Sequence, residues 1–261
     1  MRATLLRLRS LPRSTRLGLV AASVAAIVLA VLAQPPIVPG AGQYVFPDQR
    51  VFLGVPHALN VFSNLPFALV GWLGWRRAAA LAPALRLVAR VAFLAIGFVT
   101  LGSSLYHLAP GPERLLVDRL PITVAFAALS AWVLGDRLGA RWAPRALAAL
   151  VAFAFWSLWI WFGGGAGDGD LRAYVLTQAL PLACIPLLLA LFPGALDARG
   201  FALAVLFYVV AKLCELFDRQ LFEFGRIVSG HTLKHLLSAA ACACLVPRRI
   251  AGRSARPLAP A

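Results

Sequence analysis

Eight apolar runs, each long enough or nearly long enough to cross a lipid bilayer, constrain this fold more than any other feature of the sequence. The hydrocarbon core of a bilayer is about 30 Å thick and takes a helix of about 20 apolar residues. None of the runs shows the strict alternation of a transmembrane barrel strand. We therefore predict an all-α, polytopic membrane helical bundle. The runs lie near residues 17–34, 58–75, 87–107, 115–134, 146–162, 172–192, 200–217 and 230–247.

Composition argues against the main soluble alternatives. The chain is 61% hydrophobic and 13% charged, whereas soluble domains are roughly 45–50% apolar and about 25% charged. Its net charge of +15 comes from short clusters between the apolar runs, without the basic and aromatic stripe of a nucleic-acid-binding surface. The positive-inside rule explains these clusters better. We therefore expect no nucleic-acid partner.

The basic residues also predict the orientation in the membrane. If the N-terminus is cytoplasmic and the spans alternate, the cytoplasmic segments hold 17 of the 25 Lys and Arg residues. Of the ten acidic residues, only Asp136 and Asp197 fall on that side. Cytoplasmic loops are typically enriched in Lys and Arg. The count predicts cytoplasmic N- and C-termini and an even number of spans.

The N-terminal segment leaves two interpretations open. A basic stretch followed by an apolar run resembles a signal sequence. Its roughly 17 apolar residues exceed the usual h-region of about 7–15, which favours a retained anchor helix over a cleaved signal. The predicted organisation is a basic N-terminus with an extra helix in 1–40, a membrane domain in 41–250 and a cytoplasmic tail in 251–261.

Ionisable and hydroxyl side chains are expensive inside a bilayer and usually face a cavity. Two pairs here are spaced four residues apart, so each pair shares a helix face. With the predicted orientation, all five polar residues converge near the outer face of the membrane. They are Ser103 and His107 in the third run, Asp118 in the fourth, and His231 and His235 in the eighth.

Three imidazoles that leave one position open are the ligand pattern of catalytic zinc. Zinc lowers the pKa of a bound water to about 7 and polarises carbonyl groups. Asp118 is a candidate to accept a proton from that water or to orient a ligand, the alternative being an ion pair with Arg119 or Arg114. Ser103 is a candidate oxyanion donor, the alternative being a hydrogen bond to its own helix. For each histidine, the alternative is a hydrogen bond to a carbonyl or a place at the membrane interface.

This combination resembles the alkaline ceramidases, which belong to a superfamily of seven-helix membrane hydrolases that includes adiponectin-receptor-like proteins. The shared pattern is S-x-x-x-H, an aspartate eleven residues further on, and a late H-x-x-x-H. The "NVFSN" stretch, with Asn60, Ser63 and Asn64, is similar to the family's N-x-x-S-N. The resemblance implies a seven-helix hydrolase core, here with one extra N-terminal helix. It also implies zinc on the three histidines, assisted by Asp118 and Ser103.

Two departures from the family concern calcium and the substrate. Eukaryotic members bind calcium through an acidic segment before the first core helix, where this chain has only Asp48 as an acid. His57 stands where the family would have a glutamate, three residues before Asn60. We therefore expect no calcium site, and ceramide itself becomes less certain as the substrate. His57 is either a polar substrate contact or an interface histidine.

Three further polar features receive structural interpretations. Lys234, between the two late histidines, is expected to point away from them and to snorkel or pair with an acid. Residues 163–170, "GGGAGDGD", lack the features of a phosphate or calcium loop and are expected to form an outer loop. Glu215, Asp218, Arg219 and Glu223 are expected to form a salt-bridged cap, with lining of the site entrance as the alternative. The four cysteines, all in apolar runs, are expected to be packing residues.

The sequence therefore predicts an intramembrane zinc-dependent amidohydrolase. The resemblance implies that the reaction cleaves a ceramide-like lipid amide into a fatty acid and a sphingoid base. A non-enzymatic seven-helix metal-binding receptor or sensor, or a hydrolase of a different lipid, is the alternative. The expected partner is a membrane lipid substrate, with no obligate protein partner.

Overall fold

The computed structural model describes residues 2–165 and 167–247. These residues form α-helices, most of them joined by short connections, with one longer segment at residues 33–57, and they contain no β-sheet. The prediction of an all-helical chain is confirmed. The helices are α1 (Arg2–Ser10), α2 (Arg13–Leu32), α3 (Ala58–Phe62), α4 (Leu65–Arg77), α5 (Pro83–Leu108), α6 (Pro112–Leu138), α7 (Ala143–Phe162), α8 (Arg172–Leu191), α9 (Ala198–Leu216), α10 (Asp218–Gly225) and α11 (Gly230–Cys244).

Five helices, α2 and α5 to α8, are long and apolar enough to cross a membrane. A sixth span results if α9 and α10, which are bent by 75° at Phe217, are taken together. The described residues therefore fit a membrane protein, but they do not confirm the predicted count of seven core helices plus one. The two other predicted spans contain shorter helices, because α4 has 13 residues and α11 has 15.

The run predicted as one span over 58–75 is interrupted between α3 and α4. Pro66, in the first turn of α4, has no backbone N–H to continue the ladder of α3. The side chains of Ser63 and Asn64 donate to the carbonyl of Asn60, at 3.1 and 2.8 Å. Such local hydrogen bonds compete with regular helical bonding. The interruption places two polar side chains inside the bundle.

The centre of the fold is the pair α5 and α6. Helix α5 also packs on α4, α6 also packs on α7 and α8, and α9 packs chiefly on α11. Small residues permit these close approaches: a Cβ on Gly71 of α4 would lie 2.6 Å from the Cα of Gly97 on α5. The largest buried side chains of the core include Phe93 and Trp132, which meet edge to face at 6.0 Å. The outer helix surfaces carry exposed apolar side chains such as Trp159, as expected where lipid replaces water.

The N-terminal helices are tied to α8 at both of its ends. Arg9 donates to the carbonyls of Leu189 and Ala190, both at 3.1 Å, and Arg16 donates to that of Leu191 at 3.0 Å. These are end-of-helix carbonyls that lack partners within α8. At the other end, Arg172 donates to the carbonyls of Leu32, the last residue of α2, and of Gln34. Helix α2 therefore lies antiparallel along α8.

Candidate metal centre

The structure brings the three predicted histidines together inside the bundle. His107 lies in the last turn of α5, and His231 and His235 lie in the first two turns of α11. All three are buried, and one ring nitrogen of each lies within 4.8 Å of the others. The Nε2 atoms of His107 and His231 are 3.2 Å apart. Three buried histidines so placed can bind a metal ion.

The spacing of the imidazoles fits a small tetrahedral ion. Metal–nitrogen bonds of about 2.0–2.1 Å place two tetrahedral ligands about 3.3–3.4 Å apart. The separation of His107 and His231 is close to that value. His235 completes a set of three nitrogen ligands. Among the described His, Cys, Asp and Glu residues no fourth ligand joins this group, so a tetrahedral ion held here would have one position for water or substrate.

Ser63 fixes the ring of His235. Its hydroxyl lies 2.8 Å from His235 Nδ1 and 3.1 Å from the carbonyl of Asn60. Because a hydroxyl has one proton, and the carbonyl can only accept, Ser63 donates to Asn60 and accepts from Nδ1–H of His235. This tautomer leaves the lone pair on Nε2, the nitrogen that faces the cluster. In the sequence, Ser63 stands out only as part of the "NVFSN" stretch, and nothing in that stretch predicts its contact with His235.

The first turn of α11 is held by four polar contacts. Ser229 caps the helix by accepting from the backbone N–H of Thr232 at 3.1 Å, and the Asp218 carboxylate accepts from that of His231 at 2.7 Å. Thr232 and Ser229 both donate to Asn60 Oδ1, at 2.7 and 3.4 Å. Caps of this kind satisfy the otherwise unpaired N–H groups at a helix start. They fix the position of His231 against α3 and α10.

Phe46 covers the cluster from the segment before α3. Its buried ring meets His107 edge to face at 4.6 Å and His231 at 4.8 Å. His57 Nδ1 bonds to the carbonyl of His107 at 2.8 Å. His57 therefore lies behind the cluster and supports the end of α5, and it is not among the residues that line the adjoining cavity. No local sequence pattern marks Phe46, because its contacts come from the return of a loop.

Ser103 and Asp118 adjoin the histidines where α5 and α6 approach most closely. A Cβ on Gly102 would lie 2.5 Å from the carbonyl oxygen of Val117, so the two backbones are nearly in contact there. The Ser103 hydroxyl is 3.5 Å from His235 Nε2, and Ser103 and Asp118 line the same cavity. Asp118 is buried, and its Oδ1 has no hydrogen-bond partner in the described residues.

The expectation for Lys234 is wrong in one respect. Its ammonium pairs with Glu215 at 3.1 Å, as expected, but it does not point away from the histidines. It donates to Nε2 of His231 at 3.0 Å, because residues three apart on a helix are neighbours on one face. A metal ion on that nitrogen and this hydrogen bond exclude each other. A metal ion bound by His231 through Nε2 would therefore require Lys234 to give up this hydrogen bond, and Glu215 would remain as its counterion.

A cavity of about 700 Å³ extends from the cluster between α6, α8, α9 and α11. Along α6 it is lined from Leu115 to Leu129, a length of about 21 Å at about 1.5 Å per residue. Asp118, His231 and His235 line its polar end, and residues such as Leu129 line its apolar end. The predicted acidic cap also lines the polar end, through Glu215, Asp218 and Arg219. The cavity suits a ligand with one polar end and a long apolar chain.

The segment before α3 is held by an ion pair between Asp48 and Arg50. Asp48 is buried and contacts Arg50 at 2.7 Å, and Arg50 also donates to the carbonyls of Arg226 and Ile227. Burial acts to raise the pKa of Asp48, but the hydrogen bonds from Arg50 outweigh it and hold that pKa below its ordinary value of 3.8. Asp48 therefore anchors the loop that carries Phe46. The four cysteines are free thiols and form no disulfide.

The chain matches none of the protein-family models, curated proteins or solved structures with which it was compared.

Proposed function

We propose that this protein is an intramembrane zinc-dependent amidohydrolase that acts on a lipid amide. The observation that carries the proposal is a three-histidine cluster at the polar end of a long, otherwise apolar cavity. The resemblance of the five site residues to the alkaline ceramidases agrees with this proposal. Zinc, bound by the three imidazoles, would supply Lewis-acid catalysis.

The chain's own residues divide the remaining work. The apolar walls of α6, α8 and α9 receive the acyl chain and direct its carbonyl to the histidine end. Asp118, whose Oδ1 has no partner in the described residues, accepts a proton from the attacking water. Ser103 donates a hydrogen bond from its hydroxyl group to the substrate's carbonyl oxygen as negative charge develops there. Phe46 excludes bulk water from the cluster.

The reaction adds water across the amide bond. The acyl carbon gains the hydroxyl group, the C–N bond breaks, and the nitrogen leaves with a proton. A fatty acid and an amine are the products, and the amine is a sphingoid base where the substrate is ceramide. We propose that the centre lies near the outer face of the membrane and that both termini are cytoplasmic, as the arginine distribution predicts.

A metal-binding sensor without hydrolytic activity is the second candidate. One observation favours it: Lys234 donates a hydrogen bond to Nε2 of His231, the atom that would bind the metal. The metal-free site is therefore stabilised by a hydrogen bond that the metal-bound site would lack. Metal binding would then exchange one set of contacts for another, as a switch requires. This candidate predicts bound zinc and no hydrolysis.

One experiment separates the two candidates. The protein is purified in detergent, its zinc content is measured, and fatty-acid release is followed over a panel of lipid amides. We expect bound zinc together with release from at least one lipid amide. Zinc without release from any member of the panel would contradict the hydrolase and favour the sensor.

A further inference from the structure

Arg119 is a cation at the polar end of the cavity with unused hydrogen-bonding capacity. Its guanidinium lies 4.2 Å from the ring centroid of Trp161 and 4.7 Å from that of Tyr174. Its Nη2 donates to the side-chain oxygen of Gln43 at 3.1 Å. Aromatic contacts fix the plane of a guanidinium without using its N–H groups. The aromatic rings therefore hold the Arg119 guanidinium in place without using its N–H groups.

Two donors beside each other have no acceptor. Nη1 of Arg119 and Nε2 of Gln43 are both shielded from solvent, and neither has a hydrogen-bond partner in the described residues. Both residues line the cavity. Buried polar groups are normally paired, so unpaired donors on two residues that line a cavity indicate a missing acceptor.

The adjacent carboxylate does not fill this role. Asp118 precedes Arg119 in α6, yet the two form no ion pair within 4.0 Å among the described residues. The alternative in which Arg119 is simply the counterion of Asp118 is therefore not what the structure shows.

The charges around the cavity also favour an anion. More cationic side chains than carboxylates line it, and a divalent ion on the histidines would add to the excess. The cations are Arg119, Lys212, Arg219 and Lys234, and the carboxylates are Asp118, Glu215 and Asp218. Of these cations, Lys212 and Lys234 pair with Glu215, and Arg219 pairs with Glu223. Arg119 is the one without an ion pair in the described residues.

We infer that the substrate is a lipid amide whose amine half carries a carboxylate, that is, an N-acyl amino acid, and that Arg119 and Gln43 bind this carboxylate. The inference rests on the proposed hydrolase and specifies its substrate class. The guanidinium fork matches a carboxylate in geometry as well as in charge. The acyl chain lies along the apolar part of α6, and hydrolysis releases a fatty acid and an amino acid. A neutral ceramide leaves both donors unpaired.

The test is a binding measurement on metal-free protein, so that it does not depend on turnover. The probes are N-palmitoylglycine and its neutral amide, N-palmitoylglycinamide, titrated into the detergent-solubilised protein by calorimetry. A charge-assisted hydrogen bond predicts roughly tenfold to hundredfold tighter binding of the carboxylate. Arg119→Gln should abolish the difference between the two probes.

The matched control is Arg114→Gln. Arg114 lies on the same helix, is exposed and does not line the cavity, so its substitution removes the same charge and should leave the discrimination intact. Equal binding of the two probes by the wild-type protein would overturn the inference, and this comparison needs no variant to fold. Loss of the discrimination in Arg114→Gln as well, or its persistence in Arg119→Gln, would also contradict it.

Two further arms identify the source of the carboxylate and separate the two proposals. Palmitate carries its carboxylate at the acyl carbon, so Arg119-dependent binding of palmitate equal to that of N-palmitoylglycine would contradict an amine-side site. In the zinc-loaded protein, hydrolysis of ceramide as fast as N-palmitoylglycine would refute this inference and support the hydrolase. Selective binding without hydrolysis of either substrate would support the anion site and refute the hydrolase.

Discussion

Substitution of Ser63 by alanine tests whether the hydrogen bond to His235 prepares this ring for a metal. The variant removes the acceptor of Nδ1–H in a buried environment, where Ser63 is 6% exposed and His235 is 4% exposed. Leaving one buried polar group unpaired costs about 1–3 kcal/mol. Loss of an outer partner of a metal-binding histidine typically lowers metal affinity by about 10–100-fold, or about 1.4–2.8 kcal/mol. The two magnitudes agree, so we expect a decrease in that range.

The assay is a zinc titration of the metal-free protein against a chelator of known affinity. Ser157→Ala is the matched control, because Ser157 is equally buried but bonds to the carbonyl of Ala154 in its own helix. It should bind zinc like the wild-type protein, and Ser63→Thr, which keeps the hydroxyl, should recover most of the affinity. A Ser63→Ala protein within about twofold of wild type would refute the assigned role of this hydrogen bond.

Three other predictions concern the proposed general base, the start of α11 and the loop that carries Asp48. Asp118→Asn should retain its zinc but lose about 10²–10⁴-fold in fatty-acid release, because a general base is worth about that much; normal release would remove Asp118 from the mechanism. In Gly230→Ala, the new Cβ would lie 2.0 Å from the carbonyl oxygen of Cys214. The free energy of unfolding, measured by thermal unfolding in detergent, should therefore fall by about 1–3 kcal/mol. An unchanged unfolding midpoint would argue against this close approach of α9 and α11. The pKa of Asp48 in the folded protein lies below 3.8, so its ion pair with Arg50 stabilises the loop above pH 3.8. This stabilisation is lost as the pH falls through the folded pKa, and the melting temperature should fall over the same pH range. Asp48→Asn should remove this pH dependence of the melting temperature.

The histidine cluster could be predicted because each part of the argument depends on local spacing. His231 and His235 are four apart on one helix, and His107 precedes the short connection between α5 and α6. Helix periodicity and the alternation of membrane spans then suffice to predict that the three histidines lie at the same depth in the membrane. The same periodicity should have placed Lys234 on the face of His231, since residues three apart are as close as residues four apart.

Contacts that come from distant segments could not be predicted in this way. Phe46 reaches the cluster through an irregular loop, and no pattern in the loop fixes where its ring lies. Ser63 and Asn64 look like tolerated polar residues within an apolar run, and only the packing of α11 against α3 reveals that Ser63 orients His235. For the same reason, one continuous span was predicted where the structure has α3 and α4.

The central claim, that the three histidines hold one catalytic metal ion, is tested most directly by the zinc content of the purified protein. Elemental analysis should find about one zinc per chain in the wild type, as a single three-histidine site requires. His107→Ala, His231→Ala and His235→Ala should each lose that zinc. The control His57→Ala should retain it, because His57 bonds to the backbone carbonyl of His107 and contributes no nitrogen to the cluster. A full equivalent of zinc in all three cluster variants would contradict the account.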